Sequence, residues 1–271
     1  MPGLPYSATN IRQSALGYRS IADMKNLIIA GYATSYFFYA ATLITYLLRL
    51  RIPWRYLSII ALTVNLLVLL LISISSGHLP FFNVFECLLF VTFILGGLGC
   101  FCSQTEKHRL DVRSWVWIEI LFLLTIVLFF PKEPSFYRPN QTFLWVVLFH
   151  GFRNLALATM LFSAAHFIRF RLESRRRQLR NYIFLSGRNF LLLTTVFFLC
   201  SEYSGMIWCQ RGWGDFWHWS PTFFQSTLII LCLMFAFHIP GKNHRSDDIR
   251  SVIGAVTALV MLTIQVTKGL S

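Results

Sequence analysis

Long apolar runs separated by short polar segments make up most of the chain. Eight runs can be marked, at about 26–48, 56–76, 79–102, 115–130, 142–168, 190–207, 223–239 and 251–267. A helix needs roughly 17 to 25 predominantly apolar residues to cross a bilayer. The fourth, seventh and eighth runs lie near the lower limit, and the others reach it. The pattern predicts an all-α, polytopic transmembrane bundle of about eight spanning helices.

The polar segments between the runs differ in positive charge. Alternate segments hold 16 of the 24 Lys and Arg residues. They are Arg49, Arg51 and Arg55, then Lys107, Arg109 and Arg113, then Arg169, Arg171, Arg175, Arg176, Arg177, Arg180 and Arg188, and finally Lys242, Arg245 and Arg250. Short loops rich in Lys and Arg stay in the cytoplasm. Both termini are therefore predicted outside, which is the periplasmic face if the membrane is a bacterial inner (cytoplasmic) membrane.

The first 25 residues precede the first apolar run and lack the apolar core of a cleavable signal peptide. We interpret residues 1–25 as an N-terminal periplasmic or amphipathic segment. Residues 26–271 form a single transmembrane domain, with an outer tryptophan-rich loop at 205–221.

Composition narrows the function classes. With 56% apolar and 13% charged residues, the chain has too little polar surface for a soluble globule. The net charge of +13 is accounted for by orienting loops such as "RFRLESRRRQLR", residues 169–180, so no nucleic-acid partner is predicted. The six cysteines form no Cys-x-x-Cys zinc or redox pair and no Cys-x-x-Cys-His haem attachment motif.

Histidines within apolar runs are costly and suggest a functional site. His150 and His166 lie 16 residues apart on the fifth run, about 24 Å along a helix axis, so they must serve different sites. By the predicted topology, His78, His150 and His218 lie outside, whereas His166 and His238 lie inside.

The segment "GMIWCQRGWGDFWHWSP", residues 205–221, places four tryptophans beside His218; they are Trp208, Trp213, Trp217 and Trp219. Pairs of imidazoles ligate haem iron, and flat apolar side chains suit the macrocycle. An aromatic belt at a membrane interface also explains the tryptophans, although it leaves the histidines unexplained. Arg153, one turn from His150, could neutralise a haem propionate, or could extend its charged group to the membrane interface.

The same segment resembles the WWD signature of the cytochrome c assembly family, in particular the membrane subunit of the System II cytochrome c synthetase. The matching residues are Gly205, Trp208, Trp213, Gly214, Trp217, Trp219 and Pro221. A second stretch, "SGHLPFFNVFECLLF", is similar to another family segment, with His78, Pro80, Asn83 and Glu86 in register. His238 follows Ser220, at the signature aspartate, by 18 residues, as the family's transmembrane histidine does.

The resemblance implies a haem-binding protein of cytochrome c biogenesis that holds one or two non-covalent b-type haems. Haem would pass through a transmembrane site at His238 to an outer site at His150 and the tryptophans, and there be attached to apocytochrome c. The implied partners are other membrane subunits and c-type cytochromes on the outer face. Ser220, Thr222 and Phe223 replace the family's Asp, Lys and Glu, and a second outer histidine, expected well beyond His238, is not within these 271 residues. Whether the chain is an enzyme, as a haem lyase component, therefore stays open.

Two alternatives accompany this expectation. In one, the chain is a non-catalytic b-type haem subunit of a larger quinone-linked complex, with haems held by His166 and His238 inside and by His150 with His78 or His218 outside. In the other, it is a scaffold that binds no haem. The biogenesis function is the leading prediction, with His218, His78 or a partner chain supplying the missing ligand.

Overall fold

The structure is a computed structural model that describes residues 8–50, 54–102, 111–132, 143–173, 177–215, 221–239 and 244–268; for residues 8–23, 177, 221, 244 and 245 it describes the backbone alone. Its helices are α1 (Ala8–Leu48), α2 (Trp54–Ser76), α3 (Val84–Phe101), α4 (Val112–Val127), α5 (Leu144–Leu172), α6 (Arg177–Trp213), α7 (Pro221–His238) and α8 (His244–Thr267). The predicted all-α fold with eight helices is confirmed for these residues.

Six helices are long and apolar enough to cross a membrane. These segments are Met24–Leu48, Trp54–Ser76, Val84–Phe101, Leu144–Leu172, Gln178–Trp213 and Ser246–Thr267. The apolar part of α7, Thr222–His238, is shorter, and α4 has 16 residues. The protein is therefore an integral membrane protein. The eighth apolar run, whose length in the sequence is near the lower limit for crossing a bilayer, belongs to a helix long enough to do so.

Two element boundaries differ from the sequence prediction. Helix α1 begins at Ala8, so most of the segment predicted for residues 1–25 is helical. Helix α6 runs through Trp213, so the first nine residues of the predicted loop at 205–221 are also helical. The helix ends where Gly214 takes a φ of +75° and its N–H donates to the carbonyl of Gln210 at 2.9 Å. Glycine adopts this left-handed conformation without a steric penalty, so it commonly terminates helices.

Helix α5 lies at the centre of the bundle and packs against α3, α4, α6 and α8. Its neighbours approach closely at small residues around Phe167, which is buried. A Cβ atom on Gly187 of α6 would lie 2.9 Å from the Phe167 ring, and one on Gly254 of α8 would overlap it. Small residues at such positions let helices approach within a membrane, where close packing replaces the hydrophobic effect.

Polar side chains also join helices. Asn65 of α2 is buried and donates to the hydroxyl groups of Tyr39 in α1 at 3.4 Å and Thr92 in α3 at 3.1 Å. Thr194 of α6 donates to Thr159 of α5 at 3.0 Å. These bonds satisfy groups that would otherwise be buried without a partner.

The bundle has two ends, which we name after the histidines of α5. The His150 end holds the beginnings of α3 and α5 and the end of α8, which meet around one cavity. The His166 end holds the end of α5 and the beginnings of α6 and α8. There Asp248 of α8 forms ion pairs with Arg180 of α6 and Arg171 of α5.

Candidate functional site

The connection between α2 and α3 carries the first histidine of the His150 end. Gly77 ends α2 with a φ of +72°, and its N–H donates to the carbonyl of Ser73 at 3.0 Å. The chain then turns so that His78 is buried, with its Nδ1 atom 2.8 Å from the carbonyl oxygen of Leu79. This contact fixes the orientation of the imidazole ring.

Asn83 and Glu86 hold the rest of this connection in place. Asn83 caps α3, because its side chain accepts from the N–H of Glu86 at 2.7 Å. The buried carboxylate of Glu86 in turn accepts from the N–H of Phe82 at 3.1 Å and from the amide of Asn83 at 3.0 Å. This reciprocal arrangement is a capping box extended by one residue. In the segment "SGHLPFFNVFECLLF", Asn83 and Glu86 therefore hold the backbone of Phe82 in position.

Phe82 lies between two histidines. The centroid of its ring lies 5.1 Å from that of His78 and 5.1 Å from that of His150, both edge-on. His150, at the beginning of α5, also makes an edge contact with Phe149 at 5.1 Å. The structure therefore brings together His78 and His150, the two described histidines that the sequence placed outside.

The contacts continue into the tryptophan segment. Phe149 lies 6.0 Å from Trp208, and Trp208 lies 5.7 Å from Trp213, measured between ring centroids. Gly205 allows this approach, because a Cβ atom there would lie 2.9 Å from the Phe149 ring. We call the chain of contacts through His78, Phe82, His150, Phe149, Trp208 and Trp213 the aromatic row. The predicted site residues Trp217, His218 and Trp219 lie outside the described residues.

A cavity of about 300 Å³ opens beside His150. Its lining comprises Phe81, Phe82, Asn83, Val84, Phe85, Cys87, Phe130, Pro131, His150, Arg153, Asn154, Gln265 and Lys268. The imidazole of His150 is partly exposed and has no hydrogen bond with any part of the chain that the structure describes. A histidine in this condition can offer a ring nitrogen to a metal.

Arg153 lies one turn further along α5 and is buried. Its Nη2 atom donates to the hydroxyl of Ser226 in α7 at 2.9 Å, and its Nη1 atom lies 3.6 Å from the carboxylate of Glu202 in α6. Ser226 also donates to Glu202 at 2.9 Å. The guanidinium faces the rings of Phe149 and Phe198 at 5.1 and 5.5 Å. Arg153 therefore joins three helices, a structural role beyond the one predicted from the sequence.

The two histidines predicted inside lie in different surroundings. His166 is buried, its Nδ1 atom lies 2.8 Å from the carbonyl oxygen of Phe162, and its ring stacks on Phe190 at 5.8 Å. His238 is exposed at the end of α7, and its Nδ1 atom lies 2.9 Å from the carbonyl oxygen of Met234. Within the described residues no ring contact or hydrogen bond joins these two histidines.

Haem, which the resemblance implies, needs an axial donor, flat apolar surface and positive charge for its propionates. The His150 end offers all three in its described residues: the imidazole of His150, the aromatic row, and the guanidinium of Arg153, whose buried Nη1 atom has no hydrogen-bond partner within the described chain. These residues fit the group. Sequence reasoning missed Phe82, Phe149 and the contributions of Gln265 and Lys268 to the cavity, since none of them carries a recognisable signature.

Comparison with known proteins finds no family model that matches the chain. Individual proteins do match it. The chain is 23% identical over 235 residues to the cytochrome c biogenesis protein CcsA of Nicotiana tomentosiformis, covering 69% of this chain and 71% of that one. It is 21% identical over 233 residues to CcsA of Phalaenopsis aphrodite subsp. formosana, covering 65% and 70%. A shorter match, to CcsA of Oenothera argillicola, has 23% identity over 136 residues, half of this chain and 40% of the relative. These matches agree with the resemblance stated from the sequence, since the chain is similar to several cytochrome c biogenesis proteins.

Proposed function

We propose that this chain is a haem-binding integral membrane protein of cytochrome c biogenesis, which holds haem as cargo at the His150 end and presents it to apocytochrome c. The observation that carries the proposal is the aromatic row, in which His150 lies between Phe82 and Phe149 and is connected through Phe149 to Trp208. When bound, haem supplies the iron that an imidazole ligates and the vinyl groups to which cysteine thiols add.

Different described residues would contribute different interactions to haem binding. His150 supplies the axial nitrogen, and the edge contacts of Phe82 and Phe149 restrict the rotation of its ring. Trp208 extends the apolar surface from Phe149 to Trp213, which is 56% exposed. An exposed tryptophan surface allows a partner protein to approach the edge of a bound macrocycle. His78, on the other side of Phe82, could supply a second nitrogen.

A second haem ligand at the other end would come from His238. Its exposure on α7, a helix that packs mainly on α8, suits a ligand shared with another membrane subunit. The exposed apolar side chains of α7, which include Leu231, Met234 and Phe235, offer a surface for such a subunit. Haem would then be received at the His166 end and presented at the His150 end.

The charge distribution favours an orientation with the His150 end outside. For a bacterial cell this is the periplasmic face of the inner membrane. The relatives named above come from plants, and in a plant the same orientation would apply to the membrane that holds the c-type cytochrome. The c-type cytochrome would be met on this face. Whether the chain also catalyses thioether formation, as a haem lyase, is part of the test below.

The alternative function, a subunit with two stacked b-type haems, requires His166 to ligate iron together with His238. His166 is instead buried, with its ring packed against Phe162 and Phe190, as the ring of a core histidine is. The biogenesis function needs no ligand at this position, so it agrees better with the surroundings of His166.

The test uses the purified full chain in an uncharged detergent. Haem per chain is measured from the pyridine haemochrome spectrum for the native protein, His150→Ala, His238→Ala and His166→Ala. We expect a Soret band in the native protein, loss of haem from the His150 end in His150→Ala, and retention in His166→Ala. In parallel, co-expression with an apocytochrome that carries a Cys-x-x-Cys-His motif measures covalently attached haem.

Each result bears on one alternative. Covalent haem that depends on His150 supports the biogenesis function, and its appearance without other added subunits would make the chain a haem lyase. Two reversibly reducible haems, one of which disappears in His166→Ala, would favour the electron-transfer subunit instead. A native protein that remains colourless after reconstitution with haem would overturn both and leave the scaffold alternative.

A further inference from the structure

The cavity beside His150 has an unusual balance of charge. Two cationic side chains line it, Arg153 of α5 and Lys268 at the end of α8, together with the amide side chains of Asn83, Asn154 and Gln265. None of its described lining residues is acidic. Glu202 lies outside the lining and offsets part of the charge of Arg153. Two cations and three amides in a lining without a carboxylate favour an anionic occupant.

Arg153 has donor capacity that the protein leaves unused. Its Nη2 atom is bonded to Ser226, but Nη1 lies 3.6 Å from Glu202, beyond hydrogen-bonding distance, and has no hydrogen-bond partner within the described chain. The residue is only 6% exposed, so water at the protein surface does not supply the missing acceptor. A buried donor of a charged group is costly to leave unsatisfied. An anion in the cavity would supply the missing acceptor.

The pKa of Lys268 is also affected by the charge in this cavity. Burial, followed by the positive charge of Arg153, lowers the pKa of Lys268 to about 8. Two neighbouring cations each disfavour the charged form of the other. A negative charge between them would reverse this effect and hold both in their charged forms.

The remaining walls of the cavity limit the kind of anion. Phe81, Phe85 and Phe130 provide apolar surface, and the volume of about 300 Å³ accommodates a short carbon chain with a small polar head. His150 lies in the same lining, so such a chain would extend from a group held at this histidine. An alkyl carboxylate meets these conditions better than a free inorganic anion, which gains nothing from aromatic walls.

We propose that this cavity is a carboxylate seat that receives a haem propionate, with Lys268, directly after α8, and Arg153 of α5 as its two cationic ligands. The inference rests on the proposed function, since it takes haem as the cargo held by His150. It assigns a role to the end of α8, which has no part in the tryptophan segment or in the histidine pattern. It also predicts that the protein distinguishes free haem from haem whose propionates are esterified.

The experiment compares haemin with its dimethyl ester, which keeps the macrocycle but has no carboxylate charge. Dissociation constants are measured by Soret titration of the full chain in an uncharged detergent. We expect the native protein to bind haemin about tenfold more tightly than the ester, the size of one charge-assisted hydrogen bond. Lys268→Met should remove most of this preference by weakening haemin alone, and Lys268→Arg should retain it. Lys132→Met is the matched control, because Lys132 lies at the same end of the bundle but does not line the cavity.

The outcomes separate this inference from the proposed function. Equal affinity of the native protein for haemin and the ester would overturn the carboxylate seat while leaving haem binding intact. Failure to bind either compound would overturn the proposed function itself. Equal weakening of both compounds in Lys268→Met would mean that the lysine supports the fold and does not bind a carboxylate. Loss of the preference on adding phosphatidylglycerol would assign the cavity to a lipid head group and also overturn the proposal.

Discussion

The two ends of helix α5 each carry a histidine, and the surroundings of the two imidazole rings differ. At the His166 end the imidazole is buried, contacts a backbone carbonyl of its own helix and stacks on Phe190. At the His150 end the imidazole is partly exposed, has no hydrogen bond within the described chain, and is held by the edges of Phe82 and Phe149. The ring of His166 is packed against Phe162 and Phe190, whereas a cavity opens beside His150.

The difference shows how a site histidine can be distinguished from a core histidine in an apolar helix. Both are costly in a membrane, so their presence alone does not separate them. A core histidine has its ring enclosed by neighbouring side chains, as the ring of His166 is. A site histidine has its ring restricted but a nitrogen left available, because ligand binding has to supply the last interaction.

Replacing Arg153 by Met should destabilise the protein most, by about 3 kcal/mol, because Glu202 would lose its charge partner between helices. This is the lower part of the range for buried pairs, since the side chain of Glu202 is 27% exposed. Thermal unfolding in detergent measures the effect. Arg171→Met, which removes a half-exposed cation from Asp248, is the control and should cost no more than about 1 kcal/mol. The double variant Arg153→Met/Glu202→Gln should recover part of the stability, and a lack of recovery would contradict an interaction between the two side chains.

The close packing of the His166 end predicts that Gly254→Ala costs about 1–3 kcal/mol, because the added methyl group would overlap the buried ring of Phe167. Haem binding at the His150 end should remain, since the two ends are separate. Gly97→Ala in α3 is the matched control: a Cβ atom there meets nothing within 4 Å, so the substitution should be neutral or stabilising. If Gly254→Ala proved as harmless as Gly97→Ala, α5 and α8 would not pack as closely as described.

The sequence predicted the helices well because hydrophobic length is a strong signal in a membrane protein. It misjudged the end of α6, since polar and aromatic residues such as Gln210 and Trp213 were interpreted as a loop although they continue the helix. The signal that ends α6 is Gly214, whose φ is positive, and a glycine is informative only once the preceding residues are known to be helical.

The candidate site was predicted less completely. Depth along a helix follows from counting residues, so the sequence correctly assigned His150 and His166 to opposite ends. The direction in which a side chain faces does not follow from depth, and the predicted pairing of His166 with His238 rested on depth alone. Gln265 and Lys268 reach the cavity through the packing of α8 against α5, which no local pattern in the sequence records.

Gly77→Ala tests whether the connection that carries His78 needs its left-handed turn. Alanine at a φ of +72° costs about 1–2 kcal/mol, which would shift His78 or lower the stability by that amount. Thermal unfolding and haem affinity should be measured together. Gly212→Ala is the control at the same end, because it lies within α6 and a Cβ atom there has open space. An unchanged melting temperature and haem affinity in Gly77→Ala would indicate that this turn does not position the site.

The smallest effect should come from Phe82→Leu, which keeps an apolar side chain but removes the ring shared by His78 and His150. Each aromatic edge contact contributes about 0.5–1.5 kcal/mol beyond the area it buries. If these contacts hold His150 in position for iron, haem affinity should fall by about two- to tenfold with little change in stability. Phe152→Leu is the matched control, because its ring stacks on Phe197 and makes no ring contact with a described histidine. Equal effects of the two substitutions on haem affinity would mean that Phe82 only fills space. A selective effect of Phe82→Leu would show that haem binding at His150 depends on edge contacts that restrict the rotation of its ring.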